Sequence, residues 1–377
     1  MGANKRNYSP AFAAGLVLWK RLGFPISHWM KRVFLMSSLV TLSTICHSAD
    51  SAEPIKGYPN GIREIRYPVA ADNSEQPSLF WSPELAEGEK APLLVAMHTW
   101  SGDYRQAGGE AKYAEWCLKN NWIFVHPNFR GRNRSPESMG SDLMIADVRA
   151  IVEWAKKNAS VDETRIYAIG VSGGGHATQL LAGRTPEIWA GISSWCGISD
   201  IAAWHDETST PRFERYSKDI ENALGGPPGA GTPELEDAKK RSPLSWLSNA
   251  SGVPLDINHG IDDGRTGSVP FSHSLYAWNE IVPDSQKLSE KSIDHFYESQ
   301  QSPEAPPAAD ALYGKRQPVF RRAHENTRIT IFLGGHEIIH LAALNWLAAQ
   351  QKGQPTNWNP PMVSDLDTTD LDTESGK

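Results

Sequence analysis

Residues 164–175 read TRIYAIGVSGGG, an apolar, β-branched run that ends in Gly170-Val171-Ser172-Gly173-Gly174. A short run of that kind bounded by glycines reads as a buried strand, and HATQLLAG continues from it as a helix. A serine at a sharp turn from strand to helix sits in strained backbone. Small residues are needed two positions to either side, because side chains there would collide with neighbouring backbone. Gly170 and Gly174 meet that requirement. The Ser172 hydroxyl then projects above the sheet, next to a helix N-terminus whose dipole favours negative charge. Ser172 is the candidate nucleophile.

The same strand-then-helix rhythm extends in both directions. Upstream, APLLVAMHTWSG (91–102) and WIFVHPNFRG (122–131) read as strands, with the helix YAEWCLKNN between them. DLMIADVRAIVEWAKKN (142–158) carries apolar residues at helical spacing. GIREIRYPVA and PSLFWSPE read as leading antiparallel strands. Downstream, WAGISSWCGISD (189–200), VPLDINHGIDDG (253–264) and TRITIFLGG (327–335) read as strands, and IIHLAALNWLAAQ as the last helix. Alternation of this kind predicts an α/β fold, a mostly parallel central sheet with helices on both faces. One domain is expected over residues 50–352. Within it, 201–247, with GGPPGAGTP, reads as a small cap insertion or lid over the carboxyl ends of the strands. Residues 283–318, with ESQQSPEAPPAAD, read as a mobile polar insertion, and 353–377 as a disordered acidic tail. Most of the 14 tryptophans are expected in the core.

Charge is unevenly placed. Lys5, Arg6, Lys20, Arg21, Lys31 and Arg32 all precede the first acidic residue, Asp50. From there on 31 basic residues face 44 acidic ones, a net of about −13, which argues against nucleic acid as a partner. The stretch MKRVFLMSSLVTLSTICHSA (30–49) has a Lys-Arg start, an apolar centre and a small-residue end, the pattern of a signal peptide. Its apolar run is too short for a membrane-spanning helix, so export to the periplasm or exterior without a permanent anchor is expected. Met30 then reads as the initiator and residues 1–29 as a mis-called or dispensable leader. Cys117 and Cys196 read as buried free thiols rather than a disulfide.

A serine hydroxyl needs a base and a group that orients that base. On a parallel sheet these fall on loops after later strands. INHGIDDG offers Asp262 and Asp263, and FLGGHE offers His336. His259, His340 and His176 compete as base, and Asp200 competes as acid. An oxyanion formed on attack needs amide donors, expected from Gly173 and from HTWSG (98–102), at Trp100 or alternatively Thr99. No cofactor is needed for this chemistry.

One motif points elsewhere. LGGHEIIH (333–340) contains HExxH, the spacing by which one helix presents two histidines to zinc with a glutamate beside them. Gly334 and Gly335 place His336 on a loop before the helix, and no third ligand stands in a recognisable place, so no metal is expected. Glu337 and His340 then become helix-start and helix-face residues.

These residues resemble the α/β-hydrolases, and within them the catalytic domain of prolyl oligopeptidase-like serine peptidases and related esterases, including acetyl xylan esterases. VDETRIYAIGVSGGGHATQLLAG looks like the nucleophile segment, and RSPLSWLSNASGVPLDINHGIDDG like the acid segment, in which Ser-Pro precedes a strand ending in His-Gly-x-x-Asp. The resemblance covers roughly residues 90–350 and implies a triad of Ser172, Asp263 and His336. Three departures bear on substrate. Gly173 stands where the peptidases usually carry an aromatic residue, and only a short stretch separates the expected signal from the first core strand. HTWSG also replaces the more usual His-Gly-Gly type of loop. The resemblance therefore implies a serine hydrolase acting on a small-molecule, polysaccharide or other carboxylic ester, with a peptidase as the alternative. A hydrolase-fold binding protein without turnover is the third reading.

Overall fold

A computed structural model describes residues 54–250 and 252–361. The expected leader, the signal segment and residues 362–377 lie outside them. At its centre is a nine-stranded sheet in the order β1-β2-β4-β3-β5-β6-β7-β9-β8. The strands are β1 (Arg63–Val69), β2 (Ser74–Trp81), β3 (Ala91–Met97), β4 (Ile123–Pro127), β5 (Val161–Val171), β6 (Gly191–Trp195), β7 (Leu255–Gly260), β8 (Pro318–His324) and β9 (Thr327–Phe332). From β4 through β3, β5, β6 and β7 to β9 all neighbours are parallel, while β1, β2 and β8 run antiparallel at the two edges. This is the α/β architecture expected from the sequence.

Parallel strands buried on both faces must alternate between two cores. In β3, Leu93, Val95 and Met97 enter one hydrophobic cluster and Leu94 and Ala96 the other. Helices α1 (Gly109–Asn120) and α9 (His340–Ala348) pack on one face. On the other lie α2 (Asp142–Asn158), α3 (Gly173–Arg184) and α7 (Ser272–Ile281). Full burial of each Leu, Ile or Val side chain contributes about 1.5–3 kcal/mol. Trp100, Trp189, Trp195, Trp204, Trp278 and Trp346 are fully buried, and Cys117 and Cys196 are buried free thiols. No helix among the described residues is long and apolar enough to cross a membrane.

Residues 201–247, expected as a cap, contain α4 (Ile201–Thr208), α5 (Glu214–Leu224) and α6 (Pro233–Arg241). Two expectations need correction. The insertion at 283–318 contains α8 (Glu290–Ser299), whose Ile293 and Phe296 are buried, with Phe296 against Phe271 and Phe320 at ring distances of 4.9 and 5.6 Å. Residues 353–361, read as the start of a disordered tail, pack onto the domain. Trp358 stacks on Trp346 at 5.5 Å, and its carbonyl accepts from Arg328 Nη1 at 2.9 Å. Strand β8 had no counterpart in the sequence reading, because its Arg321, Arg322 and His324 interrupt any apolar run.

Candidate active site

The glycines of TRIYAIGVSGGG form the turn through backbone-to-backbone approach. A Cβ on Gly170 would lie 2.5 Å from the Gly174 carbonyl, and one on Gly174 would lie 2.5 Å from Met97 O. Ser172 joins β5 to α3 at φ 61°, ψ −121°, outside the regions open to most non-glycine residues. Such strain persists only where neighbours enforce it. Here Ser172 N donates to Trp195 O and His176 N donates to Ser172 O, both at 2.9 Å. The turn thus lifts the side chain off the sheet and into a cavity of about 880 Å³, which His336 also lines. Ser172 and His336 are not hydrogen-bonded to each other among the described contacts.

The two aspartates of INHGIDDG separate clearly. Asp263 is fully buried, and its Oδ2 accepts from His336 Nδ1 at 2.5 Å. Its Oδ1 accepts from Gly264 N at 2.9 Å and Val269 N at 3.3 Å. His259 Nε2 also reaches Asp263 Oδ2, at 3.0 Å, and Val269 O, at 3.1 Å. A carboxylate and a carbonyl only accept, so this nitrogen carries its proton, and Nδ1 accepts from Ser274 Oγ at 2.7 Å. Burial acts to raise the Asp263 carboxyl, but the bonds from His259 and His336 outweigh it and hold the group well below the usual carboxylate range. Asp262 instead accepts from Gln300 Nε2 at 2.9 Å.

The competing residues are occupied elsewhere. Asp200 caps α4 by accepting from Ala202 N and Ala203 N. His176 Nε2 bonds Arg241 O at 2.8 Å, and His340 Nε2 bonds Gly109 O at 3.0 Å. Burial pushes both imidazoles down to about 4, so they are neutral donors in structural contacts. The HExxH reading also resolves: α9 begins at His340, so His336 and His340 do not share a helix and the two-histidine zinc geometry is not built. Glu337, expected as a helix-start residue, lies on the preceding loop and pairs with Arg316 Nε at 2.5 Å. The loop bearing His336 packs backbone to backbone on the end of β7, since a Cβ on Gly260 would lie 2.1 Å from Gly335 O and 2.5 Å from Gly334 O. Cys196, His259 and Asp263 offer ligand atoms within 4.8 Å of one another. His259 and Asp263 bond each other directly, and burial raises the Cys196 thiol, so the trio packs as an ionised carboxylate hydrogen-bonded to an imidazole, with a protonated thiol beside them.

For the oxyanion donors, a Cβ on Gly173 would lie 2.3 Å from Trp100 N, so the two backbones meet. Thr99 N donates to Gln106 Oε1 at 3.1 Å and is thereby committed. Trp100 N and Gly173 N donate to no other described residue. The Trp100 indole runs into the cap: Nε1 donates to Asp219 Oδ2 on α5 at 3.3 Å, and the ring stands edge-on to Trp204 of α4 at 4.6 Å. Trp204 Nε1 in turn donates to Ser268 O at 2.7 Å. The cap is thus joined both to the loop after β3 and to the loop carrying Asp263, which its sequence did not reveal.

Sequence reasoning also missed Gln106 and Glu110. Gln106 Nε2 donates to Glu110 Oε1 at 3.0 Å while its Oε1 holds Thr99, so one amide bridges α1 and the loop after β3. Glu110 is 2% exposed, and burial pushes its carboxyl up to about 7. The folded state therefore holds a proton that the unfolded chain has lost above about pH 4.3. This contribution to stability is complete below that value and fades as pH rises through about 7. We expect Glu110→Gln to flatten the loss of stability between pH 5 and pH 8 by up to about 3 kcal/mol, read by denaturant unfolding at each pH. Parallel curves for the two proteins would refute the assignment.

Sheet order, the strained Ser172 turn and the Asp263–His336 pair are those of the α/β-hydrolase fold with a candidate Ser-His-Asp triad, resembling prolyl oligopeptidase-like peptidases and related esterases. The sequence pattern of the Prolyl oligopeptidase family matches residues 114–295. That span contains Ser172 and Asp263 and ends before His336. The chain is 25% identical over 200 residues to feruloyl esterase B of Thermothelomyces thermophilus, covering 51% of this chain and 65% of the esterase. It is 27% identical over 192 residues to dipeptidyl aminopeptidase BIII of Pseudoxanthomonas mexicana, covering 46% of this chain and 26% of the peptidase. Among solved structures, Pyrococcus horikoshii acylaminoacyl peptidase aligns with TM-score 0.48 and 19% identity over 73% of this chain and 37% of that one. In each case the chain spans less than two thirds of the relative.

Proposed function

We propose that the protein is an exported hydrolase of carboxylic esters, working through an acyl-enzyme on Ser172, with deacylation of polysaccharides as one use. The observation that carries the reading is the 2.5 Å bond from His336 Nδ1 to buried Asp263, on the same cavity as a serine held in strained backbone. With Nδ1 engaged by the carboxylate, Nε2 is the nitrogen left to take the Ser172 proton. Ser172 Oγ then bonds the ester carbonyl carbon, and the carbonyl oxygen gains charge beside the Gly173 and Trp100 amides. His336 returns the proton to the departing alcohol. Water, activated by the same imidazole, cleaves the acyl-serine to acid and free serine. Export rests on residues 30–49 alone.

Likeness to a feruloyl esterase supports the ester reading, and likeness to a dipeptidyl aminopeptidase supports a peptidase reading. The cavity favours the first. A free peptide amine needs an unpaired carboxylate, whereas here Glu337 is paired with Arg316 and Glu110 is buried against Gln106. We expect the purified chain to hydrolyse 4-nitrophenyl acetate with kcat/KM at least about 10² times that for Gly-Pro or Ala-Ala 4-nitroanilides, the upper end of what one lost charged contact supplies. Faster cleavage of the anilides would establish the peptidase instead.

A further inference from the structure

The charged residues lining the cavity are few, two basic and two acidic, and they differ in how far they are already engaged. They are Lys112 on α1, Arg316 and Glu337 on the loops flanking β8 and β9, and Glu110 at the start of α1, with His336 and His340 beside them. Both carboxylates are committed. Glu337 accepts from Arg316 Nε and from Gly335 N, and Glu110 is 2% exposed and accepts from Gln106 Nε2. Burial keeps the Glu110 carboxyl partly protonated at neutral pH, which lowers its charge further.

The cations are not committed to the same degree. Lys112 is half-buried and makes no ion pair or hydrogen bond with any described residue, while its charge is felt by His340 across the cavity wall. Arg316 uses Nε on Glu337, and its two terminal nitrogens donate to no described residue. An ammonium with three free donors and half of a guanidinium fork therefore share a concave site with Ser172, in a chain whose formal net charge is −7. Local cationic donors against an acidic background concentrate anions at that spot. A planar fork and a point charge on one cavity each suit a carboxylate. Val171, Leu312, Ile338 and Ile339 add apolar surface to the same wall.

Resting on the ester hydrolase reading above, we infer that the physiological substrate carries a carboxylate within reach of its scissile ester, bound by Lys112 together with Arg316. The carboxylate can belong to the acyl part, as in a half-ester of a dicarboxylic acid, or to the alcohol part, as in an acylated uronate.

The test compares esters of 4-nitrophenol and its derivatives on one enzyme preparation. 4-Nitrophenyl hemisuccinate carries the charge on the acyl side, and its methyl ester is the neutral isostere. 3-Carboxy-4-nitrophenyl acetate carries the charge on the leaving side, and its methyl ester is again the isostere. We expect the native protein to favour one anionic member over its isostere by about tenfold or more in kcat/KM, mostly through KM, the size of one charge-assisted contact. Which pair shows the preference tells the acyl from the alcohol source. Added salt should shrink it. Lys112→Met should abolish it, and Lys112→Arg should retain it. Because each readout is a ratio between two substrates on the same protein, a partly folded variant leaves it interpretable. No preference in either pair, or a preference untouched by Lys112→Met and by Arg316→Gln, would overturn the inference while leaving the esterase reading intact. Failure to turn over any of the neutral esters would instead sink the esterase reading and the inference with it.

Discussion

Ser172→Ala is expected to lower turnover of 4-nitrophenyl acetate by roughly 10⁶-fold, the scale seen when a triad nucleophile is removed. The turn itself should survive. Its strain is held by the Ser172 N to Trp195 O bond and by the close approach of Gly170, Gly173 and Gly174, and none of these uses the hydroxyl. Thermal stability should therefore change little while chemistry is lost, which separates a catalytic serine from a structural one. A fluorophosphonate probe should label the native chain at Ser172 and leave the alanine variant unmodified. Equal labelling of both, or turnover by the variant within tenfold of native, would remove Ser172 from the mechanism.

The second large effect concerns the neighbouring aspartates. Asp263→Asn is expected to lower kcat by roughly 10⁴-fold, because an amide presents an N–H where His336 needs an acceptor and the imidazole is left in the wrong tautomer. The amide is also poorly matched to its pocket, where His259 Nε2, Gly264 N and Val269 N all donate toward the two oxygens. Asp262→Asn keeps an acceptor for Gln300 and should leave kcat within about twofold. The reverse ranking would move the acid role to Asp262. The pH dependence follows with a defined sign. Asp263 is held below its unfolded value, so its contribution to stability is present above about pH 4 and is lost as pH falls through the folded value. Asp263→Asn should therefore flatten the fall of stability in acid.

Much of this was legible in the chain itself. Alternating strands and helices define the layers, and the spacing Gly170-x-Ser172-x-Gly174 defines a turn that only small residues can make. Gly334 and Gly335 also carried enough information to take His336 out of a zinc helix, since a loop must precede α9. Backbone conformation and local burial are set by residues close in sequence, so a short window contains their cause. The edge strand β8 escaped because an edge needs no continuous apolar run, and residues 353–361 escaped because Trp358 finds its partner in Trp346 and Arg328 rather than in its own segment.

What tertiary structure alone decided is which long-separated groups meet. Asp263 rather than Asp262 faces His336 because of how the loop after β7 folds against the Gly334–Gly335 backbone. Trp100 rather than Thr99 keeps a free amide because Gln106 claims the other. Trp100 is tied to Asp219 of the cap across 119 positions of sequence. Lys112 and Arg316 line one cavity although roughly half the chain lies between them. The sequence by itself determined an α/β-hydrolase fold and the segments that line its candidate site, because periodicity and glycine sterics act locally. Pairing and charge within the site depend on contacts between those segments, and only the folded chain brings such contacts into being.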